Sequence, residues 1–176
     1  SLTRNSSYTL SITGSTTASF TEYVNVWFDF NQDKDFLDAG EAFSLGSFAF
    51  AGTHVYSGII VVPTDATIGK ARMRVTLSYG SVMPSCATYS YGETEDYTVA
   101  IVPMHALVVT KSGEGIGAVS SSPAGISCGT DCAETYPEGT SVTLTANPVA
   151  GSTFAGWLGG CTGTGACAVT MNAAKT

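Results

Sequence analysis

Apolar and polar residues alternate with a period of two along most of this chain, and no stretch sustains a helical period. The run Lys70-Ala71-Arg72-Met73-Arg74-Val75-Thr76-Leu77-Ser78-Tyr79 is the clearest case. One face carries Ala, Met, Val, Leu and Tyr, the other Lys, Arg, Arg, Thr and Ser. Successive side chains of a strand point to opposite faces, so this pattern reads as a half-buried strand. Residues 8–12, 23–30, 42–48, 55–62 and 97–102 read the same way, with Gly, Asn and Asp turns between them. Six such strands at this spacing predict an all-β, antiparallel β-sandwich of jelly-roll-like form.

Val102-Pro103-Met104-His105 marks a boundary, because proline cannot donate to a sheet ladder and the composition changes after it. The predicted domains are 1–102 and 103–176. The second is Gly-rich and poor in tyrosine, with short alternating runs at 106–110, 118–121, 142–146, 154–158 and 168–171 and one large anchor, Trp157. A unit this small has a limited core, which makes its cysteines informative. Cys128, Cys132, Cys161 and Cys167 all fall there, while Cys86 stands alone in the first half. Their C-x3-C and C-x5-C spacings are not those of zinc sites, and neither His54 nor His105 is near them. The four are read as disulfides of a protein from an oxidising compartment. Spacing does not determine connectivity; the local pairs Cys128–Cys132 and Cys161–Cys167 are preferred.

Charge narrows the function classes. Charged residues make up only 12% of the chain and the net charge is −7. Nucleic-acid binding needs basic patches that displace counterions, so it is excluded as a reading. No run of eighteen apolar residues is present, so no membrane insertion by a helix is expected. With no basic leader ahead of the first strand, the chain is read as part of a longer secreted, extracellular protein.

The unusual chemistry sits in Asp29-Phe30-Asn31-Gln32-Asp33-Lys34-Asp35-Phe36-Leu37-Asp38-Ala39-Gly40-Glu41, which holds five of the fourteen acidic residues. Counted from Asp29, oxygen side chains recur at alternate positions: Asp29, Asn31, Asp33 and Asp35, with Glu41 closing the run. Alternate residues of a tight loop can face a shared centre and wrap a hard cation in oxygens, so Ca2+ is the expected cofactor. The pattern approaches D-x-[DN]-x-[DN]-G, but Lys34 replaces the glycine, the closing glutamate comes one residue late, and no helices flank it. A strand-borne loop is therefore expected. The competing reading is a solvated acidic turn stabilised by local Asx hydrogen bonds; against it stands repulsion of order 1 kcal/mol per close carboxylate pair.

A second acidic stretch, Gly92-Glu93-Thr94-Glu95-Asp96, precedes the alternating Tyr97, Val99 and Ile101. If the strand extends back far enough, period two turns Glu95 inward, and a buried carboxylate must be paired or bind metal. If the strand begins at Tyr97, Glu95 is solvated.

These residues also carry a resemblance. "VWFDFNQDKDFLDAGE" followed by "YSYGETEDYTVAI" resembles the GEVED domain, a β-sandwich module of secreted bacterial proteins, over residues 1 to about 102, with Thr94 at the valine position of the name-giving segment. Family members usually begin with further strands and a cysteine upstream, which implies a partner for Cys86. Residues 106–176 resemble divergent InlB B-type bacterial repeats through "LVVTKSGEGIGAVSSSPAGISCGTDC", "YPEGTSVTLTANPVAGSTFAGW" and "CTGTGACAVTMNAAKT". Such repeats normally carry one more strand after the position of Lys175-Thr176. Both resemblances imply modules attached to secreted proteases, other hydrolases and adhesins.

Catalytic constellations are not found. Neither histidine has a nucleophile motif beside it, and no G-x-S-x-G, H-E-x-x-H or phosphate loop is present. Trp27, Tyr89 and Tyr91 are candidate ligand-binding aromatics, able to stack on sugars or pack on a fibrous protein if exposed, though such residues more often cover a sheet or a loop. The expected function is a non-catalytic, calcium-stabilised accessory region of a secreted protein. Its partners would be an insoluble protein or polysaccharide substrate and a catalytic domain elsewhere in the parent chain. The alternative is a structural stalk of a cell-surface adhesin.

Overall fold

The computed structural model describes residues 1–176 apart from Phe50 and Tyr89. The described residues form two compact units, Ser1–Val102 and Pro103–Thr176. Thirteen strands and no α-helix make up their regular structure.

In the first unit, β1 (Leu2–Thr3), β2 (Ser7–Thr16), β3 (Glu22–Phe28), β4 (Ala42–Phe48), β5 (Gly52–Val61), β6 (Gly69–Tyr79) and β7 (Gly92–Val102) form two sheets. A five-stranded sheet runs in the order β1-β7-β6-β3-β4, and β2 and β5 pair as a separate ribbon. Every pairing is antiparallel except one: β1 runs parallel to β7, with Leu2 opposite Ile101. The sheet is therefore mixed, which alternation cannot reveal because it reports faces and not strand direction.

The core lies between ribbon and sheet. Tyr56 and Ile60 of β5, with Leu10 and Ile12 of β2, pack on Val24, Val26 and Phe28 of β3, Val75 of β6 and Ile101 of β7. Gly58 permits the close approach, since a Cβ there would stand 2.6 Å from Leu45 Cδ2 of β4. The interior strand β3 is buried on both faces: Asn25 and Trp27, on the face opposite the valines, are buried like Val24. A side chain buried on the outer face of a two-layer fold needs a further cover. Two loops, 29–41 and 80–91, supply buried residues, Phe36 from one and Ser85 from the other.

The second unit contains β8 (Met104–Val108), β9 (Gly117–Ser122), β10 (Ser127–Cys128), β11 (Ala133–Pro137), β12 (Ser141–Pro148) and β13 (Cys167–Thr170). A four-stranded sheet, β10-β9-β12-β13, accompanies the ribbon β11-β8. Its core joins Leu107, Val119, Tyr136, Val142, Leu144 and Met171 with the sulfurs of Cys128 and Cys167. The disulfides are Cys128–Cys132 and Cys161–Cys167, and Cys86 is a free, exposed thiol.

Three expectations are corrected here. Residues 154–158 do not form a strand. Gly156, Gly159 and Gly163 take φ values of 135°, 89° and 83°, which end any ladder, and only Trp157 bridges to Gly163. The indole still anchors that loop, donating to the carbonyl of Gly165 at 2.7 Å. Conversely β11 ends in proline and was not apparent; Pro137 is tolerated because it terminates one strand of a two-stranded ribbon, opposite Met104. His105, expected in a linker, is within β8 opposite Tyr136.

Candidate metal centre

The acidic loop is pinned at both ends by backbone hydrogen bonds. Phe28 N–H donates to the Glu41 carbonyl at 2.9 Å, and Asp29 N–H to the Arg72 carbonyl at 2.9 Å. Inside the loop each acid turns the next stretch of chain. Asp33 N–H donates to Asn31 Oδ1 at 3.1 Å, Asp35 N–H to Asp33 Oδ1 at 3.0 Å, and Leu37 N–H to Asp35 Oδ1 at 2.8 Å. These successive Asx turns explain why Asp and Asn alternate. Lys34, at the place expected for glycine, takes the conformation a glycine would, with φ 82°, and its N–H reaches Asp29 Oδ2 at 3.2 Å.

The turns gather carboxylates. One oxygen from each of Asp33, Asp35 and Asp38 lies within 4.8 Å of the others, and all three residues are exposed. Asn31 Nδ2 donates to Asp33 Oδ2 at 2.9 Å and to Asp38 Oδ2 at 2.8 Å, so one amide answers two of the three acids. Asp38 was not among the residues picked from spacing; it breaks the alternate rhythm, and only the loop's fold brings it in. Hydrogen bonds from the Asp35 amide and from Asn31 hold the Asp33 carboxyl below its ordinary value.

Asp29 and Glu41 are buried instead. Glu41 is 2% exposed. Its Oε1 accepts from the amides of Phe30 (2.7 Å) and Asn31 (3.4 Å). Its Oε2 and Asp29 Oδ1 are buried without a hydrogen-bond partner among the described residues. Burial pushes the Glu41 carboxyl up, the two amide bonds oppose it, and the charges of Asp29 and Asp38 raise it further. Glu41 also lines a hollow of about 280 Å³ together with Asn31, Asp38, Asp65 and Pro63. The donor set is all oxygen, and two buried carboxylate oxygens lack partners, so the loop suits a hard cation with oxygen coordination.

Glu95 is elsewhere. The strand does extend back to Gly92 and Glu95 stands opposite Val75, on the core face as period two requires. It is nonetheless exposed, as is every β7 residue from Gly92 to Thr98. Glu95 is not part of the carboxylate group in the loop. Face and burial come apart here because β7 lies at the side of the sheet that carries only the two residues of β1.

The neighbouring acid has a different task. Asp96 accepts from Arg74 Nε and Nη2, each at 2.7 Å. Arg74 Nη1 donates to the Ser85 carbonyl at 2.9 Å and to Cys86 Sγ at 3.6 Å. Its guanidinium carbon sits 5.4 Å from the ring centre of Phe36. The pair raises Arg74 above and holds Asp96 below the ordinary value.

The aromatic expectations divide. Trp27 is only 6% exposed and cannot stack on a ligand; Arg74 is its register neighbour on β6. Tyr89 lies outside the described residues. Tyr91 is 72% exposed and joins a contiguous group that residue spacing did not reveal. Its ring meets Tyr79 edge-on at 6.1 Å, and Tyr79 meets Phe20 edge-on at 5.2 Å, with Phe20 and Tyr79 also about half exposed. Phe20 precedes a strand and Tyr79 ends one, so nothing in their separate contexts suggests the meeting.

Comparison with known families agrees with this architecture. Residues 23–100 match the GEVED domain, and residues 107–176 match the divergent InlB B-repeat domain. The comparisons with curated proteins and with solved structures find no match. The chain carries a GEVED domain followed by a divergent InlB B-repeat domain, both modules of accessory or repeat type.

Proposed function

We propose that this pair of modules is a non-catalytic, calcium-stabilised accessory region of a secreted bacterial protein, which helps attach a hydrolase to its substrate or surface. The observation that carries the metal reading is the buried, unpartnered Oε2 of Glu41 beside the acidic loop. An isolated carboxylate is costly to bury, and a cation removes that cost. Asp33, Asp35 and Asp38 would hold Ca2+ with Glu41, Asp29 and Asn31 from the same loop, and the ion would supply charge neutralisation and rigidity only.

Attachment is supported by the exposed trio Phe20, Tyr79 and Tyr91, a contiguous aromatic surface of the kind that marks binding sites. This favours a binding role over a stalk. A module of this kind raises the local concentration of its attached enzyme at an insoluble protein or polysaccharide. The histidines fit the same reading: His54 stacks on Phe48 at 4.9 Å and His105 occupies a strand of a ribbon. The two disulfides fit an oxidising, extracellular setting.

Calorimetric titration with CaCl2, combined with melting in excess calcium and in chelator, tests the metal. Binding to the folded state alone must raise the midpoint. Identical midpoints with no heat of binding would overturn the calcium assignment. Co-sedimentation with insoluble polysaccharides and fibrous proteins, lost on Tyr79→Ala and Tyr91→Ala, tests attachment. Failure to bind any of them would restore the stalk.

A further inference from the structure

We infer that Glu22 and the rings around it form a recognition site for a single lysine side chain of a protein partner. β3 lies inside its sheet, with β6 on one side and β4 on the other. Glu22, its first residue, stands opposite Tyr79 of β6 and opposite Phe48 of β4. Period two turns it to the face of Val24 and Val26, where it is only 9% exposed. Its Oε2 is buried with no hydrogen-bond partner among the described residues. No ion pair answers it there either; the salt bridge among the described residues joins Arg74 and Asp96. Burial pushes the Glu22 carboxyl up, with no opposing partner. Burial, and after it the charge of Glu22, also raise the Tyr56 phenol, which puts that ring within the field of the carboxylate.

The surroundings are aromatic. Tyr79 meets Phe20 edge-on at 5.2 Å, and Phe48 meets Tyr56 edge-on at 5.1 Å. Phe20, Phe48 and Tyr79 are all exposed, so the acid lies at the foot of an accessible rim of rings. A buried carboxylate without a partner is costly, and a hydrogen-bonded cation removes that cost. Aromatic faces attract the same cation through their quadrupole. One unpartnered oxygen suits a compact donor. An ammonium meets it as a point charge with N–H groups, whereas a guanidinium favours two oxygens in a fork and a trimethylated amine has no N–H to give. Lysine also reaches inward on a long apolar stem that can lie along the rings. Neutral sugars bring stacking and no charge, so the acid favours a protein over a polysaccharide. The choice of partner rests on the attachment reading of Phe20 and Tyr79; the site itself rests on Glu22.

Short blocked peptides with one central lysine, acetyl-lysine, trimethyl-lysine or arginine in a glycine-serine frame test this. Physiological ionic strength screens general surface attraction. Side-chain NMR shifts at Glu22 and Tyr79 report the site. The lysine peptide should shift both and bind roughly tenfold or more tightly than the other three. Glu22→Gln keeps the side chain's shape and should melt no lower than the parent, yet should remove that preference. Glu95→Gln, at an exposed acid of the same unit, should leave it intact. Equal binding of lysine and acetyl-lysine, equal loss in the two variants, or unmoved Glu22 signals at millimolar lysine peptide would each overturn the inference. So would self-association of the chain that Glu22→Gln abolishes, since the occupant would then be a second copy. Co-sedimentation separates this site from attachment itself. Binding to a fibrous protein that is lost on Tyr79→Ala and kept on Glu22→Gln would preserve attachment and overturn the lysine site, whereas a lysine preference in the peptides with no surface bound would remove attachment alone.

Discussion

Glu41→Gln separates a metal ligand from a buried hydrogen-bond acceptor by the sign of its effect. The amide retains an oxygen for the Phe30 and Asn31 N–H groups and removes a charge that burial and the neighbouring Asp29 and Asp38 disfavour. In chelator the variant should be as stable as the parent, or more stable by up to about 1 kcal/mol. Calcium should reverse the order. At a concentration a hundredfold above its dissociation constant, the ion stabilises the parent by about 2.7 kcal/mol; if the variant binds a hundredfold more weakly, it gains about 0.4 kcal/mol. For a unit of this size that difference is a melting-temperature gap on the order of 10 °C. Glu41→Ala is the control: it removes the carboxylate acceptor of the Phe30 and Asn31 N–H groups, leaving Phe30 only the Phe28 carbonyl at 3.0 Å, and should cost about 1–3 kcal/mol in chelator and more in calcium. Paired thermal and urea melts in calcium and in chelator measure all four quantities. The reasoning fails if Glu41→Gln is as damaging as Glu41→Ala in chelator, or if parent and Gln variant gain equally from calcium.

Because folding raises the Glu41 and Glu22 carboxyls above their ordinary 4.5, the unfolded chain loses those protons first. Stability in chelator should fall as pH rises from about 4.5 through the raised values, and calcium should flatten the Glu41 part; urea melts across pH show this. Asp96 has the opposite sign, contributing stability above its ordinary 3.8 that is lost as pH falls through its depressed folded value. Asp96→Asn should cost about 1 kcal/mol in urea melts after solvent screening, and Arg74→Ala about 2 kcal/mol, since it also loses Ser85 and Phe36. Reduction should destabilise Pro103–Thr176 by about 2 kcal/mol per disulfide and leave Ser1–Val102 unchanged, as hydrogen exchange of each unit would show. Native protein should titrate one thiol by alkylation, the exposed Cys86, and five after reduction and unfolding.

Period two carried most of the fold into view because it reports a local property, the face on which each side chain sits. It placed Val75 and Glu95 on one face correctly. Burial depends on what covers that face, and the ribbon that encloses Val75 leaves Glu95 in solvent. Trp27 departs in the other direction: it lies on the face opposite the valines, yet it is only 6% exposed, with Arg74 beside it. The loop's alternation of Asp and Asn was legible at Asn31, Asp33 and Asp35, since each Asx turn sets the next residue. Asp38 was not, because its approach to Asn31 depends on the path of the whole loop.

The Gly92–Asp96 segment then acquires a physical division of labour. Trp27, Arg74 and Asp96 stand side by side across β3, β6 and β7 on the outer face. Asp96 fixes the guanidinium in a two-point pair, and from that fixed position Arg74 meets Phe36 of the acidic loop and the Ser85 carbonyl of the other loop. An arginine held bidentately loses less freedom with each additional bond, so the pair makes both further contacts cheaper. Asp96 thus acts through Arg74 on two loops, the acidic loop at Phe36 and the loop that leads to Tyr91 at Ser85. Glu93 and Glu95, one residue to either side, project from the opposite face and take no part in that clamp. Alternation alone separates adjacent acids of one short motif: Asp96 pairs with Arg74 on the outer face, and Glu93 and Glu95 stand on the other.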